Sequence, residues 1–317
     1  MKAVMYHYVR LPNSEYPYFK GLHIDDFKRQ LDWFSNNGGF VNRDDFLKIF
    51  NGHEDMECPT GFILTFDDGL IDHYDFVYPE LMKRGLFGVF YIPTLYLSSK
   101  KILDVHRIHL LVGRYGGKKM MEELQKIVTK DMLVKDCNSD FHMKTYNFPY
   151  NSNKYEVEFK RMLNYLISYE YREYVLDRLF DLLIKDSIRC KDVYMSANQI
   201  SELHNSGMII GSHSESHKLM SRISIKQQNN EIKNSFNTLD SIVGGLKIKT
   251  FCYPYGGALS YNNDTINKLN HNKVMFSFDV NSKDISCKKM NTRRHMLIRY
   301  DTVDSSYGLS GLLQVLL

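Results

Sequence analysis

Two stretches of this sequence end an apolar run in side chains that do chemistry. In Ile63-Leu64-Thr65-Phe66-Asp67-Asp68-Gly69, β-forming residues stop at two adjacent carboxylates and a glycine, the pattern of a buried strand running into a turn. Adjacent carboxylates in one pocket repel each other unless a cation or a proton gives them different roles. A regular strand points neighbours to opposite faces, so both reach one pocket only where the strand turns. An Asp-Gly turn closing a core strand accounts for the same residues. The second stretch, Met208-Ile209-Ile210-Gly211-Ser212-His213, continues as Ser214-Glu215-Ser216-His217. Two histidines four apart face one direction across a helical turn. Two neutral imidazoles and a carboxylate make a three-ligand zinc site with a position open for water. The spacing alone is weak: with 12 His in 317 residues, chance supplies roughly half an His-x-x-x-His pair. Its weight comes from context, because both clusters follow a buried strand and would lie on one rim.

The elements that would position these clusters alternate. Residues 3–6 read as a first buried strand with His7 and Tyr8 at its end. Asp25 and Asp26 would cap a helix through Phe27, Leu31 and Phe34, ended by Gly38-Gly39. Phe40-Val41 reads as a short strand, and Asp44-Asp45-Phe46 as the start of a helix. Residues 62–66 are the strand of the Asp pair, followed by a helix through Tyr74, Val77 and Leu81 and a strand over 88–92. From about residue 98 to 195 the rhythm is helical without a clear strand. Residues 118–128 and 155–184 are the longest helix candidates, and 138–153, with Pro149 and several Asn, is the irregular loop between them. Alternation resumes with a helix from Ser196 to Gly207, the strand before His213, and a helical stripe of Ile232, Phe236, Leu239 and Val243. Short strands follow at 251–254, 274–278 and 296–298. Strands alternating with helices make a parallel sheet covered by helices, open or closed into a barrel. In either form chemistry collects at the C-terminal strand ends, where the polar clusters stand.

Composition narrows the partners. A net charge of +4, from 41 basic and 37 acidic side chains, is too small a surplus to indicate nucleic acid or an anionic membrane. The five cysteines, Cys58, Cys137, Cys190, Cys252 and Cys287, are odd in number and widely spaced, with no Cys-x-x-Cys pair. That usage argues against a disulfide framework and for a reducing compartment. The N-terminus enters a strand-like run without a signal peptide's longer apolar region, so a cytoplasmic location is expected. No apolar run is long enough for a membrane span. The terminal Leu312-Leu313-Gln314-Val315-Leu316-Leu317 is far too short. The oligomeric state has no sequence signal.

Thr65-Phe66-Asp67-Asp68-Gly69, His213-Ser214-x-x-His217 and Tyr253-Pro254-Tyr255-Gly256, in this order, resemble the motifs of the NodB-homology polysaccharide deacetylases. The resemblance covers the chain to about Pro93 and again from about Ser196 to Thr302. It implies a distorted parallel (β/α) barrel spanning 1–317, with residues 98–195 as a helical insertion. It also implies metal-dependent removal of an N-acetyl group from an amino sugar of a saccharide or glycan precursor. The alternatives are a deformylase or O-deacetylase on the same metal site, or a carbohydrate-binding relative that has lost turnover. By motif, Asp67 is the general base, and Asp68, His213 and His217 hold a divalent metal, with Zn2+ the default for this donor set. The backbone N–H of Tyr255 is the oxyanion donor, and Gly256-Gly257 would let backbone and sugar approach closely. Tyr253 and Tyr255 are candidates to stack on sugar rings.

The chain departs from the family in two places. Cys252 stands where members carry the Arg that orients the base, and the last strand reads Leu297-Ile298-Arg299 instead of carrying a Leu-x-His acid. Arg299 either replaces the missing Arg, pairing with Asp67, or leaves the strand as a surface residue. The leaving-group acid is open. His7, in a Tyr6-His7-Tyr8 segment similar to that of members acting on surface polysaccharides, is the favoured candidate. His295 reads as a satisfied core or rim residue, and His106 and His109 as helix-surface residues.

Overall fold

The computed structural model describes residues 1–51, 58–134, 153–184, 188–286 and 293–302. The apolar runs become strands β1 (Lys2–Tyr6), β4 (Phe62–Phe66), β5 (Val89–Ile92), β6 (Ile209–Ser212), β7 (Thr250–Cys252), β8 (Phe276–Val280) and β9 (Leu297–Asp301), with a two-stranded parallel pair β2 (Val9–Arg10) and β3 (Leu22–His23) beside them. The seven longer-range strands are all parallel and close into a barrel in the order β1-β4-β5-β6-β7-β8-β9, with β9 pairing back onto β1. Burial at every position of β4 follows from this closure, since both faces of a parallel strand are covered. The open-or-closed alternative is thereby resolved: the fold is a closed parallel (β/α) barrel.

The chain divides into two compact units. The first, residues 1–11, 21–101 and 190–317, holds the barrel. Inward residues of successive strands, among them Ala3, Ile63, Tyr91, Ile209, Phe276 and Leu297, form one buried cluster. Gly211 is required there: a Cβ would stand 2.5 Å from the Tyr91 ring, whose hydroxyl crosses to Thr250 Oγ1 at 2.8 Å. The register sets Tyr6 beside Phe66 and Ile92 beside Ser212, so the residues that follow them, His7, Asp67 and His213, leave the sheet at one end.

Several helix boundaries differ from expectation. The helix Ile24–Asn36 is capped by His23, whose Nδ1 accepts from the Asp25 amide at 3.1 Å. Asp25 and Asp26 lie in its first turn, where carboxylates favour the helix dipole. Asn42, not an aspartate, caps Arg43–Lys48, and Phe40 makes a single bridge to Phe62 in place of a strand. After β4 a π-turn, His73–Val77, precedes the helix Tyr78–Lys83.

The second unit, residues 12–20 and 102–189, contains the helical run Asp104–Gln125, broken by a kink at Gly116 (φ 76), and the helices Lys154–Arg161 and Tyr169–Leu183. Its own core is built from Ile108, Leu111, Phe159, Leu163, Val175 and Leu179. The expected single helix over 155–184 is interrupted by the π-turn Met162–Leu166 and by Ser168, which turns extended and caps the next helix through the Glu170 amide. Residues 12–20 join this unit, with the Tyr18 amide donating to Gly113 at 2.9 Å. Of the expected loop at 138–153, Asn153 caps Lys154–Arg161; residues 138–152, Cys137, Cys287 and the terminal apolar run lie outside the described residues.

One expectation from composition is corrected. Cys58 is disulfide-bonded, while Cys190 and Cys252 are free. Sequence spacing does not measure distance in the fold, and a disulfide fits an oxidising compartment better than a reducing one. Cysteine usage therefore no longer supports a cytoplasmic location. Among the described residues no helix is long and apolar enough to cross a membrane.

Candidate active site

β4 ends with the Asp67 amide donating to the Tyr6 carbonyl at 2.9 Å, one step beyond the strand. Asp68 then enters the left-handed region at φ 81 and Gly69 follows at φ 62. This turn breaks the strand's alternation, and Asp tolerates the conformation better than most residues. Both carboxylates are buried and reach different partners.

Asp67 faces Arg299. From β9 the guanidinium donates through Nη1 to Oδ1 at 2.8 Å and through Nη2 to Oδ2 at 2.7 Å, the two-pronged geometry that suits Arg to carboxylates. Nη1 also reaches Thr65 Oγ1 at 2.9 Å. Arg299 has no exposure and its guanidinium lies 5.8 and 5.6 Å from the rings of Tyr91 and Phe278; it is not a surface residue. The Cys252 thiol completes this wall, 3.4 Å from Asp67 Oδ2 and 2.9 Å from Arg299 Nη2. Burial alone would push the Asp67 carboxyl up. The charge and hydrogen bonds of Arg299 outweigh it and hold the group at about 2, so Asp67 is ionised at neutral pH.

Asp68 faces the histidines. Its Oδ1 lies 3.5 Å from His213 Nε2 and 3.3 Å from His217 Nε2. The histidine loop is not the helical turn expected from the spacing. It bends through left-handed residues at Ser214 (φ 63) and His217 (φ 57), which bring the two rings to 4.8 Å. His213 Nδ1 stands 2.8 Å from the Cys252 carbonyl. A carbonyl only accepts, so Nδ1 carries the proton and Nε2 presents its lone pair to Asp68. Burial lowers the His213 pKa to about 4, which keeps it a neutral ligand. Metal bonds of about 2.0–2.1 Å in tetrahedral geometry place neighbouring ligand atoms about 3.3–3.4 Å apart. The carboxylate oxygen and the two imidazole nitrogens, all within 4.8 Å of one another, fit a divalent cation in both donor type and spacing.

His7 and Tyr255 each stand beside a member of the triad. His7 leaves β1 with Nε2 at 4.0 Å from Asp68 Oδ2 and its side chain about a third exposed, at 32%. Its carbonyl accepts from His73 Nε2 at 2.7 Å. Tyr255 adopts φ 69, and its ring lies 5.0 Å from that of His217. Tyr253 is not available to a sugar: it is buried, stacked 3.9 Å from Tyr261, and donates to the His295 carbonyl at 2.8 Å. Gly256 packs closely, since a Cβ there would meet Val280 Cγ2 at 2.4 Å. His295 sits beside Ser277, at the start of β8 and before β9, with its ring nitrogens 3.0 Å from Ser277 Oγ and Asn270 Oδ1. It belongs to the other end of those strands. His106 is fully buried in the second unit and not on a helix surface.

Three supporting residues escaped sequence reasoning. His73 carried no signal. Glu231 and Ser235, four apart on the helix Ile225–Val243, are buried beside its apolar stripe, and polar residues at helical spacing next to a buried face were the available clue.

A polysaccharide deacetylase family model matches residues 177–276, which include the histidine loop and the Tyr253-Pro254-Tyr255-Gly256 turn. Over that stretch the chain is similar to the polysaccharide deacetylases. Solved structures give the same fold over nearly its whole length. A deacetylase of Streptococcus pyogenes, PplD, in complex with acetate, aligns over 99% of this chain and 97% of its own at 16% identity and a TM-score of 0.59. A polysaccharide deacetylase from Bacillus cereus aligns over 99% and 68% at 11% identity and 0.57. A de-N-acetylase from Aggregatibacter actinomycetemcomitans aligns over 94% and 93% at 14% identity and 0.53. No curated protein matches the sequence significantly.

Proposed function

We propose that this protein hydrolyses the N-acetyl group of an amino sugar in a saccharide or glycan precursor, releasing acetate. One observation carries the reading: an ionised carboxylate, Asp67, locked by Arg299, stands next to a separate carboxylate-imidazole triad with the spacing of a metal site. Asp68, His213 and His217 would hold the cation, with Zn2+ favoured by the donor set. Bound there, a divalent cation would supply Lewis acidity toward the attacking water and the acyl carbonyl. Asp67 accepts the proton of the attacking water, and Arg299 keeps it unprotonated and aimed. The Tyr255 backbone N–H donates to the oxyanion as the carbonyl carbon becomes tetrahedral. His7, in its imidazolium form, would give a proton to the amine nitrogen as the C–N bond breaks, leaving acetate and the free amino sugar. The proton taken up by Asp67 would pass to solvent. The deacetylase relatives support the reaction class.

The test is acetate release from N-acetylated oligosaccharides and nucleotide sugars with bound metal quantified. Asp67→Asn is expected to lower the rate on the order of 10²–10⁴-fold while metal stays bound through the Asp68 triad. Unimpaired acetate release by that variant would refute the assignment, and formate or a free hydroxyl as product would redirect it to deformylation or ester hydrolysis.

A further inference from the structure

The loop from His213 to His217 holds a conformation that its own residues do not favour. Ser214 and His217 both sit at positive φ, a region L-residues avoid, so contacts from outside must impose it. They come largely from one face of the helix Ile225–Val243. The Glu231 carboxylate is buried and turned onto the loop. Its Oε2 accepts from the amides of Glu215 and Ser216 at 3.0 and 2.7 Å, and its Oε1 accepts from the Ser216 hydroxyl. One turn further along, Ser235 Oγ lies 2.6 Å from Ser212 Oγ at the end of β6. Ser212 Oγ in turn accepts from the Ser214 amide at 3.1 Å, and Ser214 Oγ from the His217 amide at 3.0 Å. Across the loop, the Leu95 amide donates to the Glu215 carbonyl at 2.8 Å.

We infer that Glu231 is a positioning residue that sets the metal affinity of the site. It collects the two consecutive amides between the histidines and so fixes the distance between the two Nε2 atoms before any cation arrives. A carboxylate suits this task because charge-assisted hydrogen bonds to backbone amides are stronger than neutral ones. Without it the loop relaxes from its left-handed residues, and part of the binding energy goes into restoring the ligand spacing. Glu231 touches neither cation nor substrate. The inference rests on the reading of Asp68, His213 and His217 as a metal site.

The test uses the full chain, with zinc affinity measured by competition against a chromophoric chelator and the visible spectrum of the Co2+-loaded protein as a report on ligand geometry. E231A is expected to raise the zinc dissociation constant about 10–100-fold, the usual effect of losing a partner behind the ligands, and to change the Co2+ bands. E231Q, whose amide oxygen still accepts from both backbone amides, recovers most of that loss, which a merely destabilising substitution would not explain. Wild-type affinity and spectrum in E231A overturn the inference. Absence of zinc and cobalt binding by the wild-type protein would instead strike the metal reading on which it rests. Should E231A not be recovered folded, E231D, which draws the carboxylate back from both amides by one methylene, decides: a weaker zinc constant upholds the inference and an unchanged one overturns it.

Discussion

Asp67 and His7 leave neighbouring strands, β4 and β1, at matching register, with Phe66 beside Tyr6, but their surroundings have little in common. Asp67 is buried, and both its oxygens are taken by a guanidinium that is itself fully enclosed. His7 is held by its backbone, through the bond to His73, while its ring is about a third exposed and meets its nearest carboxylate only at 4.0 Å. One wall is fixed in place and in charge, and the other leaves a ring free to meet something that is not part of the protein. A proton acceptor that must stay ionised beside a metal site needs the first construction. A proton donor that follows a leaving group needs the second.

The sharpest way to break this contrast is to compare Arg299→Leu with His7→Gln. Removing one partner of a buried pair leaves an uncompensated charge and costs about 3–5 kcal/mol, so R299L should lose stability on that scale in urea unfolding. H7Q alters a partly exposed ring and should stay within about 0.5 kcal/mol of wild type. Its acetate release should nevertheless fall on the order of 10²–10⁴-fold. Equal stability losses in the two variants would show that the walls do not differ as described.

Acid titration of the metal-free protein sharpens the same contrast at a smaller scale. Burial lowers His73, which anchors the His7 wall, from 6.5 to about 4, and lowers His295 to about 4 as well. Between these values the unfolded chain binds protons that the folded chain refuses, so stability falls as pH drops from about 6.5 towards 4. His73 alone contributes up to about 3 kcal/mol of this loss. Asp67 behaves differently: its folded pKa lies near 2, below the ordinary 3.8, so the stability it confers persists until the pH falls below about 4. The thermal midpoint should therefore decline first in the histidine range, and His73→Phe should flatten that decline. A midpoint constant from pH 6.5 to 4.5 would contradict the burial of a neutral His73.

Much of the barrel was legible because parallel strands buried on both faces read as continuous apolar runs, as in Phe62–Phe66. The polar clusters were legible because each ends such a run. What was not legible depends on contacts distant in sequence. Arg299 looks the same in the sequence whether it points into the barrel or out of it, and only the closure of β9 onto β1 turns it to Asp67. The four-residue histidine spacing suggested a helical turn because the pattern cannot show that the loop passes through left-handed residues at Ser214 and His217, with the amides between them held by Glu231. The Cys58 disulfide was missed for the same reason, since spacing along the chain does not reveal which cysteines the fold brings together.

The smallest expected effect concerns Cys252, and it decides whether the fixed wall is held by one residue or two. Its thiol approaches both Asp67 and Arg299, but a thiol is a weak donor and a weak acceptor, and its 3.4 Å separation from the carboxylate is long beside the 2.7 and 2.8 Å bonds from Arg299. Cys252 also belongs to the buried barrel cluster, so Cys252→Ala should cost about 1 kcal/mol, chiefly for the small void it leaves. Acetate release should change little, because the guanidinium alone still fixes the carboxylate. A loss in C252A approaching that of R299L, in urea unfolding or in turnover, would mean that the thiol shares in holding the base. The wall would then be a three-membered arrangement in which the cysteine at the family's arginine position does more than leave room for a guanidinium arriving from β9.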